Sequence, residues 1–215
     1  MNLYDDLRKQ YQTRGLRRDD LDQNPFRQFD AWFEEAIRTR PGEWLEPNAM
    51  TLSTAAHGLV TSRTVLLKHH DRQYLTFFSN YQSEKGQQLA ANPHASLLFH
   101  WAWLGRQVRI SGKVGKTDVA VSEEYFSSRP YDARIAATAS RQSDVLESRK
   151  AFDQARQALE QKYPDGQVPL PDFWGGYQLC PDRWEFWQGR TDRSHDRFRF
   201  TRTDADRWQI DRLAP

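Results

Sequence analysis

Arg193-Ser194-His195-Asp196-Arg197 carries three cation-capable side chains at alternate positions. In an extended segment Arg193, His195 and Arg197 share one face. Three such groups side by side repel unless an anion lies among them. Trp187, just upstream, offers a flat surface for a ring. An Arg/Asp-rich turn paired to itself through Asp192 and Asp196 accounts for the same residues equally well. Tyr125 and Arg129 stand four apart, on one face at a helix end. A phenol and a guanidinium there can jointly grip a phosphate; the plainer account is a helix C-terminus with an Arg matched to its dipole. Ser83-Glu84-Lys85-Gly86 falls at a helix start, where free N–H groups, a hydroxyl and a Lys make an anion site. It also reads as an ordinary N-cap with a charged first turn. Arg63-Thr64-Val65-Leu66-Leu67-Lys68 is a strand with a cation at each end. In a regular strand residues 63 and 68 point to opposite faces, so spacing alone gives two edge charges rather than one pocket.

The familiar phosphate cradles and hydrolase motifs, G-x-G-x-x-G, the Walker loop, H-E-x-x-H and G-x-S-x-G, are absent. A phosphorylated ligand must therefore be held by side chains. The single Cys180 can form no internal disulfide and is no zinc set. It reads as an inert thiol in a reducing, cytoplasmic setting. Eight Trp, eight Tyr and twelve Phe among 215 residues exclude wholesale disorder. The longest apolar run, Trp101–Leu104, is far short of a membrane span, and the acidic start Met1–Asp6 is no secretory or transit signal. Net charge is +2, with 24 Arg against 7 Lys. The last 26 residues interleave 7 Arg with 5 Asp, a mixed surface rather than a basic stripe that tracks nucleic acid.

The elements that must position these residues follow from periodicity. Residues 3–12 read as a short amphipathic helix with Leu3, Leu7 and Tyr11 on one side. Asn24-Pro25 opens a stronger helix with Phe26, Phe29, Trp32, Phe33, Ala36 and Ile37 as its apolar stripe, ended by Pro41-Gly42. Met50–Ala55, Ser62–His69, Tyr74–Ser79, Ala95–Trp101 and Gln107–Lys113 read as strands, with turns at His57-Gly58, His69–Arg72 and Leu104-Gly105. A helix capped by Ser83 and stopped by Asn92-Pro93 interrupts them. Val119–Ser127, Tyr131–Ser140 and a long Val145–Tyr163 read as helices, the last with Leu146, Phe152 and Leu159 buried and Gln142-Ser143 as its N-cap pair. Phe173–Tyr177 reads as core and turn. Trp184–Gln188, Arg197–Arg202 and Arg207–Arg212 close the chain as strands, the last two joined by a turn at Thr203–Asp206. Strands without βαβ alternation define an α+β class, and about eight short ones suggest an antiparallel barrel. No linker divides residues 1–215, which read as one domain with residues 1–20 as a mobile N-terminal segment.

Taken in order, these segments resemble the pyridoxine (pyridoxamine) 5′-phosphate oxidase family. The resemblance runs almost end to end. It is carried by Tyr11 with Gly15-Leu16, Arg63–His69, Ser83 with Lys85-Gly86, Asn92-Pro93, Arg106-Gln107-Val108 and Tyr125-Phe126 with Ser128-Arg129-Pro130. It continues through Gln142-Ser143, Val168–Pro171, Phe173–Gly176, Glu185–Gly189, Arg193–Phe198, Trp208, Ile210 and Asp211–Pro215. It implies an antiparallel split β-barrel and an obligate homodimer with FMN at the subunit interface. Arg63, Lys85, Gln107, Gln142, Ser143, Trp187 and Arg197 are the implied FMN ligands. The strand Arg63, Thr64, Val65, Leu66, Leu67, Lys68, with Phe78 and Ser79, would line the flavin, partly through backbone. Lys68, Tyr125 and Arg129 would hold the substrate phosphate. Arg193 and His195 would sit on the pyridine ring as the catalytic pair, and Arg8–Tyr11 would form a mobile cover in which Arg8 and Tyr11 touch substrate. The implied reaction takes pyridoxine or pyridoxamine 5′-phosphate to pyridoxal 5′-phosphate with O2. The sequence departs from the pattern at Glu84, where a second basic residue is common, and at Ala133, Thr138 and Ser194, which replace a hydroxyl, a Trp and a Leu.

Two other functions keep some of these features. A flavin reductase on the same barrel would lack the Tyr125/Arg129 and Arg193/His195 sets. A non-enzymatic Arg-rich interaction module would not need the ordered aromatic core. The resemblance implies neither a nucleic-acid nor a membrane partner.

Overall fold

Asn24 caps α1 (Pro25–Thr39) by accepting the Phe26 N–H at 2.9 Å, and Pro25 takes the first helical position. Its stripe of Phe26, Phe29, Trp32 and Ala36 is buried. Phe29 lies fully inside against Phe99 and Trp184, a burial worth roughly 1.5–3 kcal/mol. The computed structural model describes residues 14–191, 193–204 and 207–215. The helix expected over residues 3–12, with Arg8 and Tyr11, lies outside the described residues.

The helix packs on a nine-stranded antiparallel sheet. Its strands are β1 (Ala49–Ala56), β2 (Leu59–Leu66), β3 (His69–His70), β4 (Leu75–Asn80), β5 (His94–Trp101), β6 (Arg106–Lys116), β7 (Trp174–Gln188), β8 (Asp196–Arg202) and β9 (Trp208–Leu213). The path runs β2-β1-β5-β6-β7-β4-β3, with β8 on β7 and β9 on β8. β7 makes the branch. Its first half pairs β4, from Trp174 opposite Asn80 to Leu179 opposite Leu75. Its second half pairs β8, from Arg183 to Gln188. Between them the register against β6 slips at Ser111/Gly112, beside Pro181, which has no N–H to give a ladder. Gly112 is required there: a Cβ would fall 2.0 Å from the Cys180 carbonyl oxygen. This is the α+β split barrel. Cys180 is a free, partly buried thiol inside β7.

The helices α2 (Glu84–Ala91), α3 (Val119–Ser128), α4 (Tyr131–Ala139) and α5 (Arg149–Lys162) flank the sheet. Phe126, Ile135, Val168 and Trp174 form a small second core beneath α3 and α4. Three expectations fail here. The long helix starts at Arg149, not Val145, because Ser148 rather than Gln142-Ser143 caps it, accepting the Ala151 N–H at 3.1 Å. Val145 and Leu146 are consequently exposed. The Ser62–His69 strand breaks after Leu66, and the aromatic–glycine segment from Trp174 is strand rather than turn. His69-His70 is itself paired to β4, so the turn expected over His69–Arg72 begins only after His70.

Candidate active site

The break after Leu66 decides the geometry. Leu67 turns into the core, its N–H donating to the Asn48 carbonyl at 2.9 Å and its carbonyl accepting Asn48 Nδ2 at 3.1 Å. Strand parity is thereby lost, and Arg63 and Lys68 line the same cavity of about 720 Å³. Thr64, Val65 and Leu66 line it with them. Leu67 does not.

One end of the cavity is built by the start of α2. Ser83 Oγ accepts the Gly86 N–H at 3.4 Å. Lys85 is buried, donating to Gln142 Oε1 at 2.8 Å and to Ser83 Oγ at 3.1 Å. Ser79 Oγ also donates to Gln142 Oε1, at 3.3 Å. Ser143, in the left-handed region at φ 78°, accepts the Glu84 N–H at 3.2 Å. Gln142 and Ser143 are thus latched to the start of α2 and do not cap the long helix that follows them. Arg63 donates to Thr54 Oγ1 at 2.6 Å and to the Leu52 carbonyl at 3.3 Å. Its nearest carboxylate is Glu84, at 3.8 Å. Burial, then the Arg63 charge, hold Lys85 down to about 8, with Glu84 offsetting part of the shift.

The other end is aromatic and cationic. Phe78 stacks on Tyr125 at 3.9 Å and on Trp174 at 5.7 Å. Lys68 Nζ lies 6.0 Å from the Tyr125 ring centre, and the Arg129 guanidinium 4.8 Å from that of Trp174. Burial lowers the Arg129 pKa, and Tyr125 partly opposes it. Arg129 Nη1 is buried and has no hydrogen-bond partner among the described residues, which leaves a donor for an acceptor on a ligand. Trp174 is the residue missed from sequence, where the glycines after it masked a strand start. Those glycines admit close neighbours: a Cβ on Gly175 would fall 2.1 Å from the Tyr81 hydroxyl.

Gln107, Trp187, Arg193, His195 and Arg197 do not line this cavity. Gln107, Trp187 and Arg197 stand directly opposite one another across β6, β7 and β8, a row on one sheet face. The His195 ring lies 4.7 Å from that of Trp187, and His195 Nδ1 accepts the Arg190 N–H at 3.0 Å. A ring nitrogen that accepts leaves the hydrogen of the neutral ring on Nε2. Arg197 pairs Glu185 Oε1 at 2.9 Å and donates to the Ala214 carbonyl at 2.9 Å. Arg193 is exposed, with φ 61°. The segment is therefore not a regular strand before Asp196, as the alternate spacing suggested, but a loop held by side chains. One protomer carries the site residues as two separate groups.

Four cations against one carboxylate at the cavity wall, an orphaned guanidinium nitrogen and a stacked aromatic floor fit an anionic ligand bearing a planar ring. Fold and cavity together define the class: a split-barrel protein built to hold such ligands. Residues 33–163 match the pyridoxamine 5′-phosphate oxidase family, and residues 174–215 match the pyridoxine 5′-phosphate oxidase C-terminal dimerisation region. The pyridoxine/pyridoxamine 5′-phosphate oxidase of Crocosphaera subtropica is 50% identical over 212 residues, covering 97% of this chain and 98% of that one. The protein of the same name from Paraburkholderia phymatum is 50% identical with both chains covered in full, 100% of each. Among solved structures, PhzG from Burkholderia lata, in complex with tetrahydrophenazine-1-carboxylic acid, superposes with TM-score 0.84 at 30% identity, covering 92% of this chain and 95% of that one. A pyridoxamine 5′-phosphate oxidase-related, FMN binding protein from Nostoc punctiforme shares the fold, with TM-score 0.67 at 17% identity over 91% of this chain and 100% of that one. The chain belongs to the pyridoxine/pyridoxamine 5′-phosphate oxidase family. No described helix is long and apolar enough to cross a membrane.

Proposed function

We propose that this chain, as a homodimer holding FMN at its interface, oxidises pyridoxamine or pyridoxine 5′-phosphate to pyridoxal 5′-phosphate. O2 is the final acceptor, giving H2O2, and the amine substrate releases ammonia. One observation carries the reading. The cavity holds two cationic groups, Arg63 with Lys85 and Lys68 with Arg129, either of which suits a phosphate monoester, and stacked aromatic rings beside the second. A flavin phosphate and a substrate phosphate need such a pair.

Bound FMN would supply a two-electron acceptor for a hydride from C4′ of the substrate and a donor of that electron pair to O2. Arg63, Lys85, Gln142 and Ser143 would hold its phosphate from one protomer. Gln107, Trp187 and Arg197 would approach it from the other. Lys68, Tyr125 and Arg129 fix the substrate phosphate, which replaces a bimolecular encounter by a set geometry. Arg193 steadies the charge that develops as the C4′–H bond breaks. His195, with its hydrogen on Nε2, presents a donor to the pyridine ring. The C4′ hydroxyl or amine gives up a proton as the hydride leaves. The aldehyde forms directly from the alcohol, or by addition of water to the imine with loss of ammonia. The dimer also explains why the two groups of residues stand apart in one protomer. The matched dimerisation region, residues 174–215, contains Trp187, Arg193, His195 and Arg197.

The test is anaerobic mixing of the FMN-loaded protein with pyridoxamine 5′-phosphate. The flavin should bleach, and air should restore its colour with release of H2O2. A flavin that stays oxidised under the phosphate and bleaches with a reduced nicotinamide would make the protein a reductase.

A further inference from the structure

We infer that Asp196 is a positioning residue: one buried carboxylate that fixes both the loop carrying Arg193 and His195 and the base of the N-terminal segment. The inference rests on the proposed function for what the loop does, but not for the clamp itself.

Asp196 opens β8 and is 2% exposed. Its partners are Arg190 of its own loop, Leu16 near the start of the chain and Arg212 near its end. Oδ2 accepts the Leu16 N–H at 2.9 Å and Arg190 Nη1 at 3.3 Å. Oδ1 faces Arg212 Nη1 at 3.1 Å. Arg212 Nη2 in turn donates to the Leu16 carbonyl at 3.2 Å. Leu16, itself buried, is therefore gripped at both its backbone groups, 180 residues from the carboxylate.

Gly15 makes the approach possible. It sits at φ +80°, and a Cβ there would fall 2.8 Å from Asp196 Oδ2 and 2.9 Å from Arg190 Nη1. The second arm runs through Arg190. Its side chain is held by Asp196, and its backbone N–H is the donor that sets the His195 ring. Asp196 thus acts on His195 through Arg190, while Arg193 stands at the exposed end of the same loop. The two arginines are 44% and 57% exposed at their side chains, so they can turn to water if the carboxylate charge is removed. Loss of the charge should therefore disturb the loop and the N-terminal base more than the fold.

The experiment uses the FMN-loaded dimer and Asp196→Asn, with Gly15→Ala as the second variant. Gly15→Ala keeps the carboxylate charge and strains the Leu16 arm most, through a left-handed backbone that alanine disfavours and a Cβ that crowds Asp196 Oδ2 and the movable end of Arg190. Asp196→Asn should lower kcat for pyridoxamine 5′-phosphate on the order of 10- to 100-fold, the cost of a misplaced reacting group. KM should stay within about threefold, because the phosphate grip of Lys68, Tyr125 and Arg129 is untouched. Trypsin should release fragments beginning at Gly15, Arg18 or Asp19 faster from both variants than from the parent. Gly15→Ala should show the faster cleavage with the smaller loss of kcat. Unchanged kcat and unchanged cleavage in Asp196→Asn would overturn the inference. So would a loss of kcat that merely follows loss of flavin or of thermal stability, since the carboxylate would then be structural only. The trypsin comparison needs no turnover. A parent protein inert toward pyridoxamine 5′-phosphate sinks the proposed function, while faster cleavage of both variants still shows the clamp and equal cleavage still removes it.

Discussion

Glu84→Gln should tighten FMN binding while weakening the cofactor-free fold. Glu84 is the carboxylate facing Arg63, at 3.8 Å, and its side chain is 57% exposed. Two unit charges at that separation attract by about 1 kcal/mol in water and about 4 kcal/mol at an effective dielectric of 20. The exposure puts this pair at the lower limit, about 1 kcal/mol or less. A phosphate that takes Arg63 must compete with that attraction and also bear the repulsion of the carboxylate. Removing the charge should therefore lower the FMN Kd by roughly fivefold, the equivalent of about 1 kcal/mol. Glu84→Arg should lower it further, since a second fork replaces the repelled group. In the cofactor-free protein the sign reverses. Arg63 and Lys85 already disfavour each other's charge, and Glu84 is their offset. Tm of the cofactor-free variant should drop slightly while that of the FMN-loaded variant rises. Quenching of flavin fluorescence on titration, at low and high salt, reads the affinity; the gain should shrink in salt. An unchanged or weaker FMN affinity, with both Tm values moving the same way, would refute the reasoning and place Glu84 outside the phosphate site.

Lys85, held down to about 8, sets a pH dependence of opposite sign for binding and for folding. Below pH 8 its ammonium is present for the phosphate; above it binding must draw in a proton, so FMN affinity should fall as pH rises through 8, read by the same titration. The cofactor-free fold carries the cost of the buried ammonium fully below pH 8 and should gain stability between about 8 and the ordinary value of 10.5, where the unfolded chain binds more protons. Arg129→Ala should mainly raise KM and Arg193→Ala should lower kcat, each by about one to two decades. Both should keep flavin, and a colourless preparation of either would mean that substrate and cofactor residues have been exchanged. Dilution should release FMN at the concentration where the dimer dissociates; a monomer with one FMN would break that link.

Local signals in the sequence were legible wherever a residue type has one backbone use. Asn24-Pro25 starts α1, Ser83 caps α2, and His57-Gly58, at φ 51° and 80°, turns between β1 and β2. Met50–Ala55 and Ala95–Trp101 read as strands, and they form β1 and β5, which bury alternate residues. What failed were the places where the chain leaves regular geometry. Parity separated Arg63 from Lys68, yet the strand ends between them. Gly175 and Gly176 read as a turn, yet they serve close packing inside β7. Gln142 and Ser143 read as a cap, yet they reach back to α2 across a distance no local pattern records. The regular spacing of Arg193, His195 and Arg197 suggested a strand face, yet Arg193 sits at φ 61°. Asp196 read as a charge balancing its neighbours. Its partners Leu16 and Arg212 are set by the tertiary fold, which spacing cannot show.

The most direct test is complementation between Arg129→Ala and Arg193→Ala. Each homodimer has both sites damaged. If the cavity and the Arg193 loop of one site come from different protomers, a mixed dimer contains one site with both residues intact. Unfolding, mixing and refolding the two in equal amounts makes half the dimers mixed, so activity well below KM should recover to about a quarter of the parent value. Recovery to no more than the average of the two variants would place both residues of each site in one protomer and contradict the shared active site.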